Sequence, residues 1–456
     1  MNIGLILAAG EGTRMKSKTP KVLHTIMGKK IIDYVLDACT EADINKKVLI
    51  LGHGKDKIIK DLKNRDFIWK EQPIGDDYPY GTGYAVMQAE DIIEEKSTVI
   101  ILNGDVPLIE SETLNNFISF HKLNNNKASV LTSELENPYG YGRIIRKNNN
   151  LNGIVEEKDA TAEEKEIKEI NSGIYCFEGD ILKSILKELD NDNSQNELYI
   201  TDGIKKIVNK GGRVGAYKIC DSTQIKGVNN RIQLAELTKK QKVKINEKHM
   251  LNGVTIIDPD NTYIESKVKI GIDSIIYPNS FIEGNTVIGS DNIIRQGCRI
   301  TNSEIGNNNI IENSRIINSS IENNSKIGPY AYIRPNCKIG SNVKIGDFVE
   351  LKNTSIGDNS KASHLAYLGD GEIGESANIG CGVIFVNYDG QNKYKTIIKD
   401  GAFVGSNSNL VAPIVINEGA YIACGSTITE DVEKDALAIG RARQVNKIKK
   451  GKNRYK

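Results

Sequence analysis

From residue 264 to residue 437 a branched aliphatic residue returns at every sixth position. The run reads IESKVK from 264, IGIDSI from 270, IYPNSF from 276, IEGNTV from 282 and IGSDNI from 288. After small slips it resumes as IGPYAY at 327, IRPNCK at 333, IGSNVK at 339 and IGDFVE at 345. Val404, Leu410, Ile416, Ile422 and Ile428 pace a last stretch. Two residues before each aliphatic stands a small or slender one, among them Ser274, Ser280, Thr286, Cys298, Cys337, Val343, Val349, Ala377, Ala402, Ser408 and Ala420. A period of six fits neither the 3.6-residue turn of a helix nor the two-residue alternation of a strand. A short fixed repeat of this kind marks a solenoid. Six residues per flat face and three faces per turn predict a triangular parallel β-helix, with each aliphatic and its small partner turned inward.

The same register says which side chains point out. Inward positions run Ile345, Leu351, Ile356, Ala362, Leu368, Ile373, Ile379 and Phe385. The next, Ile398, comes thirteen residues later, so seven residues within VNYDGQNKYKT (386–396) must leave the coil as a loop. His364, two past Ala362, falls in an outward slot, while Ala366 fills the inward one. One turn further the same slot holds Cys381, then Ser406, then Cys424. With coils about 4.8 Å apart the column is about 14 Å tall, comparable to an extended pantetheine arm. It starts at a histidine and runs towards Arg441, where a basic tail of 16 residues with eight Lys or Arg begins. A solvated tail is the plain reading of that charge run; a phosphate-rich ligand nearby is the functional one.

The first half of the chain is built differently. Apolar residues 2–9 predict a strand, followed by the loop AAGEGTRMKSKTPK at 8–21. Gly10 and Gly12 give it a permissive backbone, and Arg14 and Lys21 give it positive charge. That combination suits a phosphate group, although a tight turn needs the same glycines. Two standard phosphate motifs fail: the dinucleotide pattern needs a glycine where Met15 stands, and no GxxxxGK[ST] run occurs. Helical patterns at 30–43, 54–63 and 84–95 alternate with strand patterns at 47–52 and 98–109, predicting a parallel α/β sheet covered on both faces. Ligands of such sheets sit beyond the carboxyl ends of the strands, where Gly10, Gly81 and Asp105 all fall. Asp105 reads either as a magnesium ligand facing a polyphosphate or as the cap of the next helix. Residues 128–178 predict further strands with a helical or charged interlude at 161–171, and helices follow at 182–189 and 201–209. A rigid linker helix is expected over 229–249, with no Gly or Pro to interrupt it.

Composition closes off several function classes. A net charge of +1 gives no polyelectrolyte argument for nucleic acid or membrane. Seven cysteines without a CxxC pair argue against a disulfide framework and a zinc ribbon. The five histidines, His24, His53, His121, His249 and His364, are too scattered for a histidine metal site. No segment approaches the ~20 apolar residues of a spanning helix, and the apolar start lacks the basic leader of a signal peptide. A cytosolic protein is expected.

Particular strings carry a family resemblance. LAAGEGTRM (7–15), PKVLH (20–24), GDVPLI (104–109) and GVNNR (227–231) resemble the nucleotidyltransferases that make sugar nucleotides. SKASHLAYLGDGEIG (360–374) and VNYDGQNKYKT (386–396) resemble the hexapeptide-repeat acyltransferases, which fold as left-handed parallel β-helices. In this order, and over essentially the whole chain, they resemble the bifunctional N-acetylglucosamine-1-phosphate uridyltransferase/glucosamine-1-phosphate acetyltransferases. The resemblance implies a Rossmann-like uridyltransferase domain over 1–228, a linker helix over 229–250, a β-helical acetyltransferase domain over 251–437 and a basic tail over 438–456. It further implies UTP and acetyl-CoA as co-substrates, Mg²⁺ as cofactor, a homotrimer with acetyl sites between subunits, and supply of cell-envelope precursors such as those of peptidoglycan.

Residue roles follow from the same resemblance. Leu7, Ala8, Ala9 and Gly10 would meet the uracil through backbone, Gln72, Gly81 and Thr82 would complete base recognition, and Arg14 and Lys21 would neutralise the UTP phosphates. Asp105 and Asn229 would hold magnesium; Gly142, Glu156, Asn171 and Tyr199 would bind the sugar phosphate. In the second domain His364 is the implied general base, with Glu350 expected to orient it. Arg334, Lys352, Tyr367, Asn378, Asn387, Tyr388 and Lys393 are implied for the acetyl acceptor. The outward column of Cys381, Ser406 and Cys424, with Asn387, Tyr388 and Arg441, is implied for acetyl-CoA. The chain departs from the family at Asn103, where a tyrosine is usual, at Cys381 and Cys424, where alanines are usual, and in a longer 73–80 segment. Two other readings compete. A monofunctional nucleotidyltransferase with a structural β-helix has no need of an outward histidine beside an extruded loop. A non-catalytic subunit has no need to keep Lys21, Asp105 and Asn229 together.

Overall fold

The computed structural model describes residues 1–75, 77–148 and 150–447. The end of the basic tail, from 448, and Asp76 of the 73–80 segment lie outside the described residues. The chain divides into two compact units, Met1–Gln241 and Lys242–Lys456, and the division falls inside the helix Arg231–Leu251. Among the described residues no helix is long and apolar enough to cross a membrane.

The first unit is a seven-strand sheet with a hairpin at its side. Its spatial order is Val214–Ile219, Ala128–Glu134, Glu169–Glu178, Thr98–Asn103, Asn2–Ala8, Lys46–Leu51 and Ile68–Glu71. Side chains alternate between two buried cores: Ile3 and Leu5 enter one, Ile6 and Ala8 the other. Both faces are therefore covered, as the unbroken apolar runs require. The sheet is not wholly parallel, contrary to the sequence expectation. Glu169–Glu178 runs antiparallel to both its neighbours. Between Ala128–Glu134 and this strand lie only a hairpin, Arg143–Lys147 with Asn150–Val155, and the four-residue helix Ala162–Lys165. No packed crossover helix is available, so the chain returns in the opposite sense. The helix expected over 84–95 is also shorter, Thr82–Met87. Asn2–Ala8 lies between Lys46–Leu51 on one side and Thr98–Asn103 on the other. The chain thus changes direction across the sheet beside its first strand, and the crevice beyond the strand ends opens there.

The second unit is the left-handed parallel β-helix. Its strands fall into three parallel sheets of eleven, ten and nine strands, each strand pairing with the one three later except at the last, where Tyr421–Ile422 pairs with Leu437–Ala438. All eleven small residues named above as inward partners are buried, and so are Ile264, Ile276, Ile282, Ile288, Ile333 and Ile339. The slips in the repeat shorten single coils without moving this set: Ile288 pairs with Ile305, and Ile305 with Ile321. The helix end from Lys242 caps the open solenoid, with Asn246 Nδ2 donating to the carbonyls of Pro259 (2.9 Å) and Thr262 (3.1 Å). One prism corner stands out. Most coils turn it with a left-handed Asn or Gly, as at Asn313 and Gly382, but three successive coils use Tyr330, Phe348 and Leu365 at positive φ. Each is more than half exposed, and the first two stack at 5.5 Å. A bulky residue in that backbone costs about 1–2 kcal/mol, so this exposed apolar ridge is maintained against local preference.

Candidate active sites

In the first unit, a cavity of about 520 Å³ opens at the switch crevice. Leu7, Ala8, Gly10, Arg14, Lys21, Asp105 and Asn229 line it together, with Asn103, Gly227 and Ser172. Asp105 sits just past Thr98–Asn103 and is not a helix cap, since Glu110 holds the N-cap position of the next helix. Its carboxylate pairs with the Lys21 ammonium. Lys21 Nζ also donates to Asn229 Oδ1 at 3.2 Å, and Arg14 Nη2 donates to the same oxygen at 3.0 Å. Two hard oxygen donors from distant segments thus converge on a cation. Gly12 makes the approach possible: it is left-handed (φ 65°), and a Cβ there would stand 3.0 Å from Lys21 Cβ. Magnesium sites of nucleotide enzymes use one or two protein oxygens and leave the rest to phosphates and water. The Asp105–Asn229 pair, already closed around an ammonium, fits that requirement.

Ala9 stands beside the cavity, its carbonyl held by the His53 amide at 3.1 Å. Gln72, Gly81 and Thr82 do not line it. Gln72 is buried, while Gly81 and Thr82 pack on the 198–200 segment, where Thr82 Oγ1 accepts from the Ile200 amide at 3.2 Å. The sugar-phosphate candidates form their own cluster. The Asn171 amide donates to the Gly142 carbonyl at 2.9 Å. A Cβ on Gly142 would approach Glu156 Oε2 to 3.1 Å, so glycine keeps this corner open. Burial pushes the Glu156 carboxyl up from its ordinary range. Tyr199 is buried nearby, its hydroxyl accepting from Gln195. The cluster adjoins the cavity through Tyr139–Tyr141 and Ser172, which line it. Sequence reasoning missed Tyr139, Tyr141, His53 and Gln233 of this lining; none has a spacing signal of its own.

In the second unit the register places the outward column as expected. Ala362, Ile379, Val404 and Ile422 are successive partners on one sheet. Their second neighbours, His364, Cys381, Ser406 and Cys424, therefore share one outward track. Arg441 reaches its far end, with Nη1 3.9 Å from Cys424 Sγ. The partner of His364 differs from the expectation. Glu350 faces Arg334 at 2.8 Å, whereas His364 Nδ1 lies 2.6 Å from Asp347 Oδ1. Asp347 pairs with His364 across adjacent strands: it is the same outward slot one coil earlier, two past Ile345. Register, not nearness in sequence, selects the partner. The His364 ring holds the Asp347 carboxyl below the usual carboxylate range. A carboxylate only accepts, so Nδ1 carries the proton and Nε2 is left as the base. Substituting Asp347→Asn is expected to slow acetyl transfer by up to about 10⁴-fold by losing that tautomer. Glu350→Gln should instead act on the acceptor KM, and steady-state kinetics of the two variants separates the roles.

Across the prism corner, on the next sheet, stand Glu350, Lys352 and Tyr367. The expected loop leaves the coil after Ile384–Val386 and returns at Thr396–Ile398, closed by a Tyr388–Lys393 bridge. Asn387 Nδ2 anchors its base on Asp370 Oδ2 at 2.6 Å. Its far strand brings Lys393 against Lys352, and that like charge lowers the Lys393 pKa. Two neighbouring ammonium groups suit a bound anion. Asn378 lies on the histidine's sheet, next to Lys361.

An oxygen pair closed on a cation at the end of an α/β sheet, and an outward His–Asp dyad on a β-helix, define a nucleotidyltransferase joined to a hexapeptide acyltransferase. Family models agree: a nucleotidyl transferase model matches residues 3–222 and a bacterial transferase hexapeptide model, six repeats, matches 318–353. "Bifunctional protein GlmU" of Alkaliphilus metalliredigens is 52% identical over 446 residues, covering 97% of this chain and 96% of that protein. Its counterpart in Clostridioides difficile is 52% identical over 448 residues, covering 98% and 96%. That in Acetivibrio thermocellus is 49% identical over 456 residues, covering 98% of each. The chain belongs to the GlmU family of bifunctional enzymes, which pair a uridyltransferase with an acetyltransferase.

Proposed function

We propose that the chain acetylates glucosamine 1-phosphate in its second unit and then uridylylates the product in its first, yielding UDP-N-acetylglucosamine for cell-envelope synthesis in the cytosol. The observation that carries this reading is the Asp347–His364 dyad on an outward track of the β-helix; a solenoid used only for assembly needs no such dyad. In the acetyl site, Lys352 and Lys393 bind the sugar phosphate, with Arg334, Tyr367, Asn378, Asn387 and Tyr388 completing the acceptor pocket. Acetyl-CoA lies along Cys381, Ser406 and Cys424 with its phosphates towards Arg441. The sugar amine attacks the thioester carbonyl, His364 Nε2 takes the amine proton, the C–N bond forms and the C–S bond breaks, and the CoA thiolate leaves.

In the uridylyl site Arg14 and Lys21 neutralise the UTP phosphates, and the backbone of Leu7–Gly10 holds the base with Gln72, Gly81 and Thr82. Gly142, Glu156, Asn171 and Tyr199 hold the acceptor, whose phosphate oxygen attacks the α-phosphorus in line and releases pyrophosphate. Such transfers rest on positioning and charge neutralisation more than on a strong base. Asp105 and Asn229 are the residues that would hold Mg²⁺, which when bound supplies charge neutralisation at the phosphates. The chain works as a homotrimer, a reading supported by the Tyr330–Phe348–Leu365 ridge, whose exposed apolar surface adjoins His364.

The test of the acetyl-CoA track uses the two thiols. Cys424 is exposed and Cys381 half-buried, whereas Cys298 and Cys337 of the same unit are buried. Thiol reagents are expected to block acetyl transfer, CoA to protect against them, and pyrophosphate release to continue unchanged. Undiminished acetyl transfer after confirmed modification of both thiols rules the track out.

A further inference from the structure

Arg143 is the bulkiest of the fully buried side chains, only 2% exposed, and no step described so far uses its charge. Its guanidinium pairs with Glu157 at 2.8 Å. It also donates to the Tyr141 carbonyl and, at 3.4 Å, to the Lys165 carbonyl. Glu157 Oε2 in turn accepts from the Gly140 amide at 3.1 Å. This ion pair, buried at Arg143 and part-exposed at Glu157, therefore ties together the 140–141 backbone, the end of the hairpin and the helical turn Ala162–Lys165. Among the described residues Arg143 Nε has no partner of its own. Taking this charge out of water is expensive, and apolar residues of similar volume serve stability as well or better. What the pair provides that apolar side chains do not is directional hold on one piece of backbone. That backbone is the loop whose Tyr139, Gly140 and Tyr141 line the cavity and whose next residue, Gly142, adjoins Glu156.

We propose that Arg143 and Glu157 are positioning residues for the acceptor of uridylyl transfer: they fix the 139–142 loop as the wall against which the sugar 1-phosphate is seated. This rests on the reading of the first unit as a uridyltransferase. The pair touches neither the Gly10–Lys21 loop nor Asp105, so its effect falls on the acceptor and not on the nucleotide. A shift of the loop by ~1 Å is enough to cost up to 10²-fold in a positioned reaction.

The decisive variant is the double replacement Arg143→Met with Glu157→Leu in the full-length enzyme, beside Arg143→Lys, which keeps the charge and loses the fork. Thermal unfolding, acetyl transfer, and the KM values of N-acetylglucosamine 1-phosphate and UTP are measured for each. Arg143→Lys is expected to lower the unfolding temperature and raise the acceptor KM. The double variant leaves no unpaired charge and should remain folded, and it should transfer acetyl groups at the parent rate. Its acceptor KM should nevertheless rise about tenfold or more, with the UTP KM within about twofold of the parent. A purely structural role predicts the opposite, that restored stability restores the acceptor KM, and that result overturns the inference. Equal increases in both KM values overturn it too. If the parent itself transfers no uridylyl group, the reading of the site falls and the inference falls with it, whereas a parent-like double variant of an active enzyme removes the inference alone.

Discussion

Replacing His364 by alanine is expected to lower acetyl transfer about 10²–10⁴-fold, the usual contribution of a positioned general base, with uridylyl transfer unaffected. The side chain is 57% exposed and, among the described residues, its one polar contact is with Asp347. The substitution therefore removes no core packing, and an effect on stability is not expected. Supplying N-acetylglucosamine 1-phosphate and UTP directly should give pyrophosphate at the parent rate. The sugar amine is the group to be deprotonated, so raising the pH, which frees the amine, should recover part of the lost rate in the alanine variant but not in the parent. A variant that released CoA thiol as fast as the parent would remove His364 from the mechanism.

The second large effect is at Asp105. Asp105→Ala should reduce pyrophosphate release by at least about 10³-fold, since it strips one of the two oxygens facing the polyphosphate and leaves Lys21 without its carboxylate. Lys21 and Asp105 are both mostly buried, with side-chain exposures of 17% and 16%. Freed of its partner, the ammonium remains held by Asn229, so the loop is expected to stay in place. Excess Mg²⁺ should rescue the variant little, because the missing group is a ligand and not the ion. Acetyl transfer should be unchanged, and kinetics with each acceptor supplied separately checks both halves. Full uridylyl transfer in this variant would contradict the assigned site.

The β-helix could be read almost residue by residue from the chain, because a six-residue period fixes direction as well as structure. Every inward position named from the repeat carries a small or apolar residue whose size suits the prism, and the break after Phe385 located the loop. The same arithmetic holds the partner of His364: Asp347 is one coil earlier in the same slot. Glu350, three residues further, is the expected partner but lies across the corner, bonded to Arg334. The first unit was less legible. A strand buried on both faces reads the same whichever way it runs, so the reversed Glu169–Glu178 strand left no mark in the pattern. Arg143 stands in a strand-like run as an ordinary surface charge would, and only packing shows that it is buried. Gln72, Gly81 and Thr82 stand outside the lining of the phosphate-side cavity, and how their segments reach the nucleotide is a matter of tertiary contact that spacing does not encode.

Two independent sites in one chain is the claim on which the rest depends, and a mixing measurement addresses it most directly. Glucosamine 1-phosphate, acetyl-CoA, UTP and Mg²⁺ are supplied, and CoA thiol and pyrophosphate are followed separately with His364→Ala, with Asp105→Ala, and with both variants together. Alone, the first should release neither product from this substrate, because no acetylated acceptor forms, but should release pyrophosphate once N-acetylglucosamine 1-phosphate is added. The second should release CoA thiol only. The mixture should make UDP-N-acetylglucosamine, the intermediate passing through solution from one active unit to the other. A single substitution that abolished both transfers when each is supplied with its own acceptor, in a chain that still folds, would contradict it.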